Sequence, residues 1–126
     1  MHILLIEPDT VLAETYRTAL VASGFSVALA RTAQQAIFMA DEKKPDVVVL
    51  EPQMARHNGI EFLYEFKSYP EWQKIPIIVL SVLPVTDLEN MTVLRSELSV
   101  VAILSKSRTT IPMLCGAVAD ATKARL

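Results

Sequence analysis

Five short aliphatic runs punctuate the chain, at residues 3–6, 25–30, 47–50, 77–80 and 100–104. None alternates polar with apolar positions, as a strand with one wetted face would. Unbroken, largely β-branched runs of this length suit parallel strands covered on both faces. Between them, apolar residues recur at helical spacing. Leu12, Tyr16, Ala19, Leu20 and Ser23 share one helical face, and Gly24 supplies a C-terminal stop. Thr32-Ala33-Gln34-Gln35 reads as a capping box that opens a helix with Ala36, Ile37 and Ala40 turned inward. Asn58-Gly59 predicts a turn, followed by Phe62, Leu63 and Phe66 on a third helix. A shorter fourth helix is predicted over 87–95 through Leu88, Met91 and Leu94. Thr110, with Pro112 in the first turn, opens a last helix carrying Leu114, Cys115, Val118 and Ala121.

Strand and helix thus alternate five times. Right-handed crossovers then make an α/β fold with a doubly wound parallel sheet, and one domain is expected over residues 1–126. In such sheets the working site lies beyond the carboxyl ends of the strands. Chemistry is therefore sought just after Ile6, Ala30, Leu50, Leu80 and Leu104.

Composition narrows the possible functions. Hydrophobic residues make up 52% of the 126 and charged ones 21%, which excludes a disordered chain and a coiled coil. Twelve Lys and Arg against fourteen Asp and Glu give a net charge of −2, with no basic stripe for nucleic acid. The lone Cys115 excludes an internal disulfide and a multi-cysteine zinc site, and fits a reducing compartment. Glu7 interrupts the first apolar run too early for a signal peptide. The stretch 75–85 holds Pro76, Ser81 and Pro84 and is short of a membrane span. A cytoplasmic location is expected, with no membrane partner. Gly24, Gly59 and Gly116 build no phosphate-binding loop, so no nucleotide site is expected.

The strand ends carry Glu7-Pro8-Asp9, Glu51-Pro52-Gln53, Ser81 and Lys106. Clustered carboxylates can hold a hard cation such as Mg²⁺ through oxygen ligands. The candidate ligands are Glu7, Glu51 and Gln53, and none of them is compelling. A lysine and a hydroxyl close by suit phosphoryl oxygens. Asp9 is also a good N-cap for the first helix, with Glu7 pointing into the pocket. Lys106 reads either as a routine surface lysine or, better, as the ion-pair partner of Glu51.

Along its whole length the chain resembles the receiver domain of bacterial two-component response regulators. Ile3-Leu4-Leu5-Ile6-Glu7-Pro8-Asp9 is similar to the family's first strand and acidic cluster. Pro45-Asp46-Val47-Val48-Val49-Leu50-Glu51 resembles the segment ending in the phosphoacceptor aspartate. Met54-Ala55-Arg56-His57-Asn58-Gly59 matches the following loop, Ile75-Pro76-Ile77-Ile78-Val79-Leu80-Ser81 the fourth strand with its switch hydroxyl, and Leu104-Ser105-Lys106 the end of the fifth strand. The resemblance implies a (βα)5 flavodoxin-like three-layer sandwich with strand order 2-1-3-4-5. It also implies a histidine kinase or effector as protein partner, and a partner or dimer face on the fourth helix, fifth strand and fifth helix. Here that face would carry Leu88, Met91, Ile103 and Met113, an apolar set suited to a homodimer or to effector docking.

The departures bear on function. Glu51 stands at the phosphoacceptor position, Pro8 replaces the second acid of the first strand, Ala55 the loop proline, Ile103 the aromatic switch residue and Ser107 the proline after the lysine. Ser81 and Lys106 are retained. A glutamate carries its carboxylate about one bond length further out, and a misplacement near 1 Å in an in-line transfer costs ~10²-fold. The loss of an acid at Pro8 weakens Mg²⁺ binding as well.

The expectation is an atypical, phosphorylation-deficient receiver, neither an enzyme nor cofactor-dependent, acting through protein–protein contacts. In it Glu51 either reaches Lys106 and Ser81 and imitates the phosphorylated state, or leaves the pocket inert. The competing readings are a receiver that accepts phosphate from a histidine kinase with Mg²⁺, and a flavodoxin-type cofactor binder, for which flavin-loop signals are missing. Among the remaining residues, His2 and His57 fall at opposite ends of the sheet, with His57 in a loop. Cys115, Phe62 and Phe66 read as core, and Trp72, after Pro70, as a surface or edge residue.

Overall fold

The computed structural model describes residues 1–54, 58–83 and 92–123. The strands are β1 (His2–Ile6), β2 (Ser26–Ala30), β3 (Val47–Leu50), β4 (Ile77–Ser81) and β5 (Val100–Ser105). They form one parallel sheet in the order β2-β1-β3-β4-β5. The helices are α1 (Thr10–Ala22), α2 (Ala33–Glu42), α3 (Gly59–Ser68), α4 (Thr92–Ser96) and α5 (Ile111–Lys123), with a 3₁₀ turn at Pro70–Trp72. This is the doubly wound three-layer fold expected from the sequence. No helix among the described residues is long and apolar enough to cross a membrane.

The runs of the three central strands β1, β3 and β4 are buried throughout because each strand feeds two cores, while the edge strands β2 and β5 are only partly buried. Leu4, Ile6, Val48, Leu50, Ile77 and Val79 face one side, against Ala36 and Ala40 of α2, Phe62, Leu63 and Phe66 of α3, and Leu94 of α4. Ile3, Leu5, Val47, Val49, Ile78 and Leu80 face the other, against Tyr16 and Leu20 of α1 and Leu114 and Val118 of α5. Each such side chain contributes about 1.5–3 kcal/mol by leaving water.

The punctuation behaves as its chemistry demands. Gly24 has φ +96°, its N–H donates to Val21 O, and Phe25 N–H donates to Leu20 O, a Schellman stop for α1. Thr32 Oγ1 accepts from Gln35 N–H, while Gln35 Oε1 reaches back to the Arg31 N–H, one residue before the cap. Asn58 is the N-cap of α3 rather than part of a free turn, its Oδ1 accepting from Ile60 N–H. Gly59 then follows where a Cβ would lie 2.4 Å from Pro52 Cα. Thr110 Oγ1 accepts from Met113 N–H at the start of α5. Cys115 is half-buried against the second core.

Two expectations are corrected. Trp72 is 3% exposed, stacked on Phe66 at 4.8 Å between ring centroids, because the 3₁₀ turn folds it back onto α3. Ile103 is 8% exposed and belongs to the first core, so it cannot contribute to an exposed face. The cause is a β-bulge. Ile77 pairs with Val100 but Ile78 pairs with Ala102, which leaves Val101 as the extra residue, 49% exposed. One inserted residue exchanges the faces of everything after it. Met113 is exposed as expected. Leu88, Met91 and the start of the helix predicted at Asp87 lie outside the described residues, as do Ala55, Arg56 and His57.

Candidate functional site

Glu7, Glu51 and Lys106 are each the first residue beyond a strand, and each continues the ladder by one amide. Glu7 N–H donates to Ala30 O at 3.0 Å, Glu51 N–H to Ile6 O at 3.0 Å, and Lys106 N–H to Ser81 O at 2.9 Å. The sheet itself therefore sets the three backbones, and the parallel order β1-β3-β4-β5 brings the side chains to one edge.

There they form a buried ionic cluster. Lys106 Nζ lies 2.6 Å from Glu7 Oε1 and 3.0 Å from Glu51 Oε1. Glu7 is 2% and Glu51 3% exposed, and the Lys106 side chain 10%. Two carboxylates against one ammonium leave a negative excess, which backbone dipoles absorb. Glu7 Oε2 accepts from Asp9 N–H at 3.1 Å, Glu51 Oε2 from Gln53 N–H at 3.0 Å, and Glu51 Oε1 also from Val82 N–H at 3.0 Å. Burial disfavours the charged form of Lys106, but the bonds it donates to Glu7 and Glu51 outweigh this and hold the ammonium above its ordinary range.

Asp9 stands outside the cluster as the N-cap of α1, its Oδ1 accepting from Leu12 N–H at 2.9 Å. The Gln53 side chain is exposed, and only its amide reaches the site. Ser81 is fully buried, and its Oγ accepts from Leu83 N–H at 2.9 Å. Among the described residues no hydrogen bond joins Ser81 to Glu51. Of the two histidines, His2 lies at the opposite, amino edge, with Nδ1 2.9 Å from Ser26 Oγ. Among the described residues, no group of three or more His, Cys, Asp or Glu is placed to hold a metal ion.

Sequence reasoning missed the donors that close the cluster, because the amides of Val82 and Gln53 carry no side-chain signature. It also read Tyr16 only as a helix-face residue. Burial raises the Tyr16 phenol above its ordinary value, Lys106 opposes this, and Glu7, Glu51 and Asp9 reinforce it, so the ring lies within electrostatic reach of the site. The α1 spacing that turns Tyr16 inward was the available signal.

Residues 3–114 match the response regulator receiver domain family. The chain belongs to that family. The receiver is 32% identical over 80 residues to the KDP operon transcriptional regulatory protein KdpE of Escherichia coli, covering 64% of this chain and 34% of that protein. It is 33% identical over 81 residues to the response regulator MprA of Mycobacterium avium, covering 64% and 35%. The chain thus spans about a third of the length of the curated relatives it matches. Among solved structures, a sensor protein from Polaromonas sp. JS666 superposes with a TM-score of 0.88 at 18% identity, over 99% of this chain and 98% of that one. The chemotaxis protein CheY4 of Vibrio cholerae gives 0.85 at 16% identity, over 95% and 97%. These likenesses establish the fold, and the family match establishes a two-component signalling receiver.

Proposed function

We propose that this receiver is an atypical one that transmits a signal without taking a phosphoryl group, its pocket being closed by its own charges. The observation that carries this reading is the Glu51 carboxylate, which occupies the Lys106 ammonium and the amides of Val82 and Gln53 together. Preorganised N–H groups and an ammonium are what a transferring phosphoryl group needs for its charge. Here a resident carboxylate engages them. An incoming phosphate would have to displace the carboxylates from Lys106 and add negative charge beside Glu7, which is almost wholly buried.

The residues also fit Mg²⁺ poorly. A hard cation needs several oxygen ligands, yet both oxygens of Glu7 and both of Glu51 already accept from Lys106 or a backbone amide. Pro8 offers no carboxylate. The reading therefore includes neither a cofactor nor catalysis. Imitation of a phosphorylated state stops at Lys106, because the Ser81 hydroxyl accepts from Leu83 instead. Protein contact sets the conformation and passes it on, with a histidine kinase, an effector or a second copy in the cytoplasm. Family membership supports partners of this kind.

Incubation with acetyl phosphate and Mg²⁺, followed by intact mass, tests the reading. The expected spectrum is that of the unmodified chain. One added phosphoryl mass, absent from Glu51→Gln, would overturn it.

A further inference from the structure

A second feature lies on the α2–α3 side, away from the ionic cluster. A groove of about 580 Å³ is lined by Ile37 and Phe38 of α2, Tyr69 and Trp72 beyond α3, and the carboxylates of Asp41 and Glu65. Phe38 is 63% exposed and Tyr69 37%, a large apolar area left to water. Its floor is rigid. Trp72 stacks on Phe66 at 4.8 Å and lies 4.6 Å from the Tyr69 ring. The Lys67 ammonium, itself buried, donates to the carbonyls of Trp72, Gln73 and Ile75 and so pins the 3₁₀ turn that carries the indole. A preformed apolar concavity avoids much of the ordering cost of binding.

The charged side chains that line it, Asp41 and Glu65, have one sign. Exposed positions of α2 and α3 carry Asp41, Glu42, Glu61 and Glu65. Lys67 is the single base on either helix, and its charge is spent on the carbonyls. Arg31, Lys43 and Lys44 flank α2 but line no part of the groove. Lys43 instead lies close enough to His2 to depress its basicity.

We propose that the α2–α3 groove docks a cationic amphipathic helix of a partner protein. Its apolar face seats on Phe38 and Tyr69 above the floor formed by Trp72, and its Lys or Arg residues meet Asp41 and Glu65. Helix-in-groove recognition needs an apolar trough with anchors about a turn apart, and the acidic rim selects for cations and against acidic competitors. The inference stands apart from the phosphorylation state of the pocket.

A synthetic helical peptide of roughly four turns, with leucines along one face and lysines on the other, tests it. Trp72 is the only tryptophan of the chain, so its emission reports on the groove directly. Saturable binding is expected, with changes in Trp72 emission and in the backbone amide resonances of α2, α3 and the 3₁₀ turn. Asp41→Lys with Glu65→Lys should weaken binding about 10-fold, as should raising the salt concentration. Phe38→Ser and a leucine-to-serine peptide should weaken it by at least as much, and a lysine-to-glutamate peptide should not bind. All three positions are exposed, so the variants keep the core. Absent binding, equal affinity for the charge-reversed variant, or amide shifts confined to α5 would overturn the proposal. So would a peptide-free dimer abolished by Phe38→Ser, which would make a second copy the occupant.

Discussion

Replacing Lys106 by methionine keeps an unbranched apolar stem of similar reach and removes the ammonium. Glu7 and Glu51, 2% and 3% exposed, are then left facing one another with their charge offset by backbone amides alone. Removing one partner of a buried pair costs about 3–5 kcal/mol, because an uncompensated charge stays behind. For a chain of this size that is roughly 10–20 °C in Tm. Urea denaturation followed through Trp72 measures it. Adding Glu7→Gln and Glu51→Gln to Lys106→Met removes the stranded charges and should restore most of the loss, since neutralising a whole buried cluster is often close to neutral for stability. The Arg17–Glu14 pair is the control. It lies on the surface, with side chains 42% and 55% exposed. Glu14→Gln should leave the midpoint unchanged. If Lys106→Met alone also left it unchanged, the cluster would be no tighter than a surface pair, and the closed pocket would lose its physical basis.

Three further outcomes follow from other contacts. Gly59→Ala should cost about 1–3 kcal/mol by overpacking, since its Cβ would meet Pro52 Cα at 2.4 Å. Gly116→Ala, exposed in α5 with nothing within 4 Å, should stabilise by roughly 0.5–1 kcal/mol. The same urea midpoints check both, and equal signs would refute the close approach at Gly59. Burial, with Lys43 next, holds the His2 imidazole below its ordinary value of 6.5, against the opposing pull of Asp46. Below pH 6.5 the unfolded chain therefore binds the proton first. Stability should fall as pH drops through 6.5 and level off below the depressed folded value. Subtracting the pH profile of His2→Gln from that of the native chain isolates this component.

What was legible in the sequence was whatever a strand end advertises. Glu7, Glu51 and Ser81 directly follow aliphatic runs and Lys106 comes one residue later, so a parallel sheet has to gather them at one edge. The facing of β5 was not legible. It depends on a bulge opposite Ile77 and Ile78, and on Ser99 at φ 59°, a left-handed turn made without glycine and held by a bond from Ser99 Oγ to Gln73 O. The family resemblance therefore put Ile103 on an exposed partner face when it belongs to the core. Trp72 was misread for a related reason. Pro70 announces a break, but burial of the indole depends on Phe66 and on Lys67, a residue whose charge suggests a surface. The closure of the pocket was half legible. The lysine pairing of Glu51 follows from topology, whereas the amides of Val82 and Gln53 emerge only from loop conformation.

If departure from the family pattern disables the pocket, restoring the pattern should revive it. Glu51→Asp withdraws the carboxylate by about one bond length and frees the Lys106 ammonium and the Val82 amide from the contacts that Glu51 now makes with both. That change alone leaves Pro8, with no second acid beside Glu7 to hold a divalent cation, and should yield little phosphoryl uptake. Pro8→Asp alone adds an acid but leaves Glu51 on its three donors. The two together supply both a shorter acceptor and a ligand, so uptake from acetyl phosphate with Mg²⁺ should exceed the sum of the single variants, as expected for groups acting on one transferring phosphate. Intact mass reads the adduct, and near-native urea midpoints certify the fold. A folded double variant that takes no phosphate would place the block elsewhere, and Ile103, whose buried aliphatic side chain fills a core site, would become the next position to change.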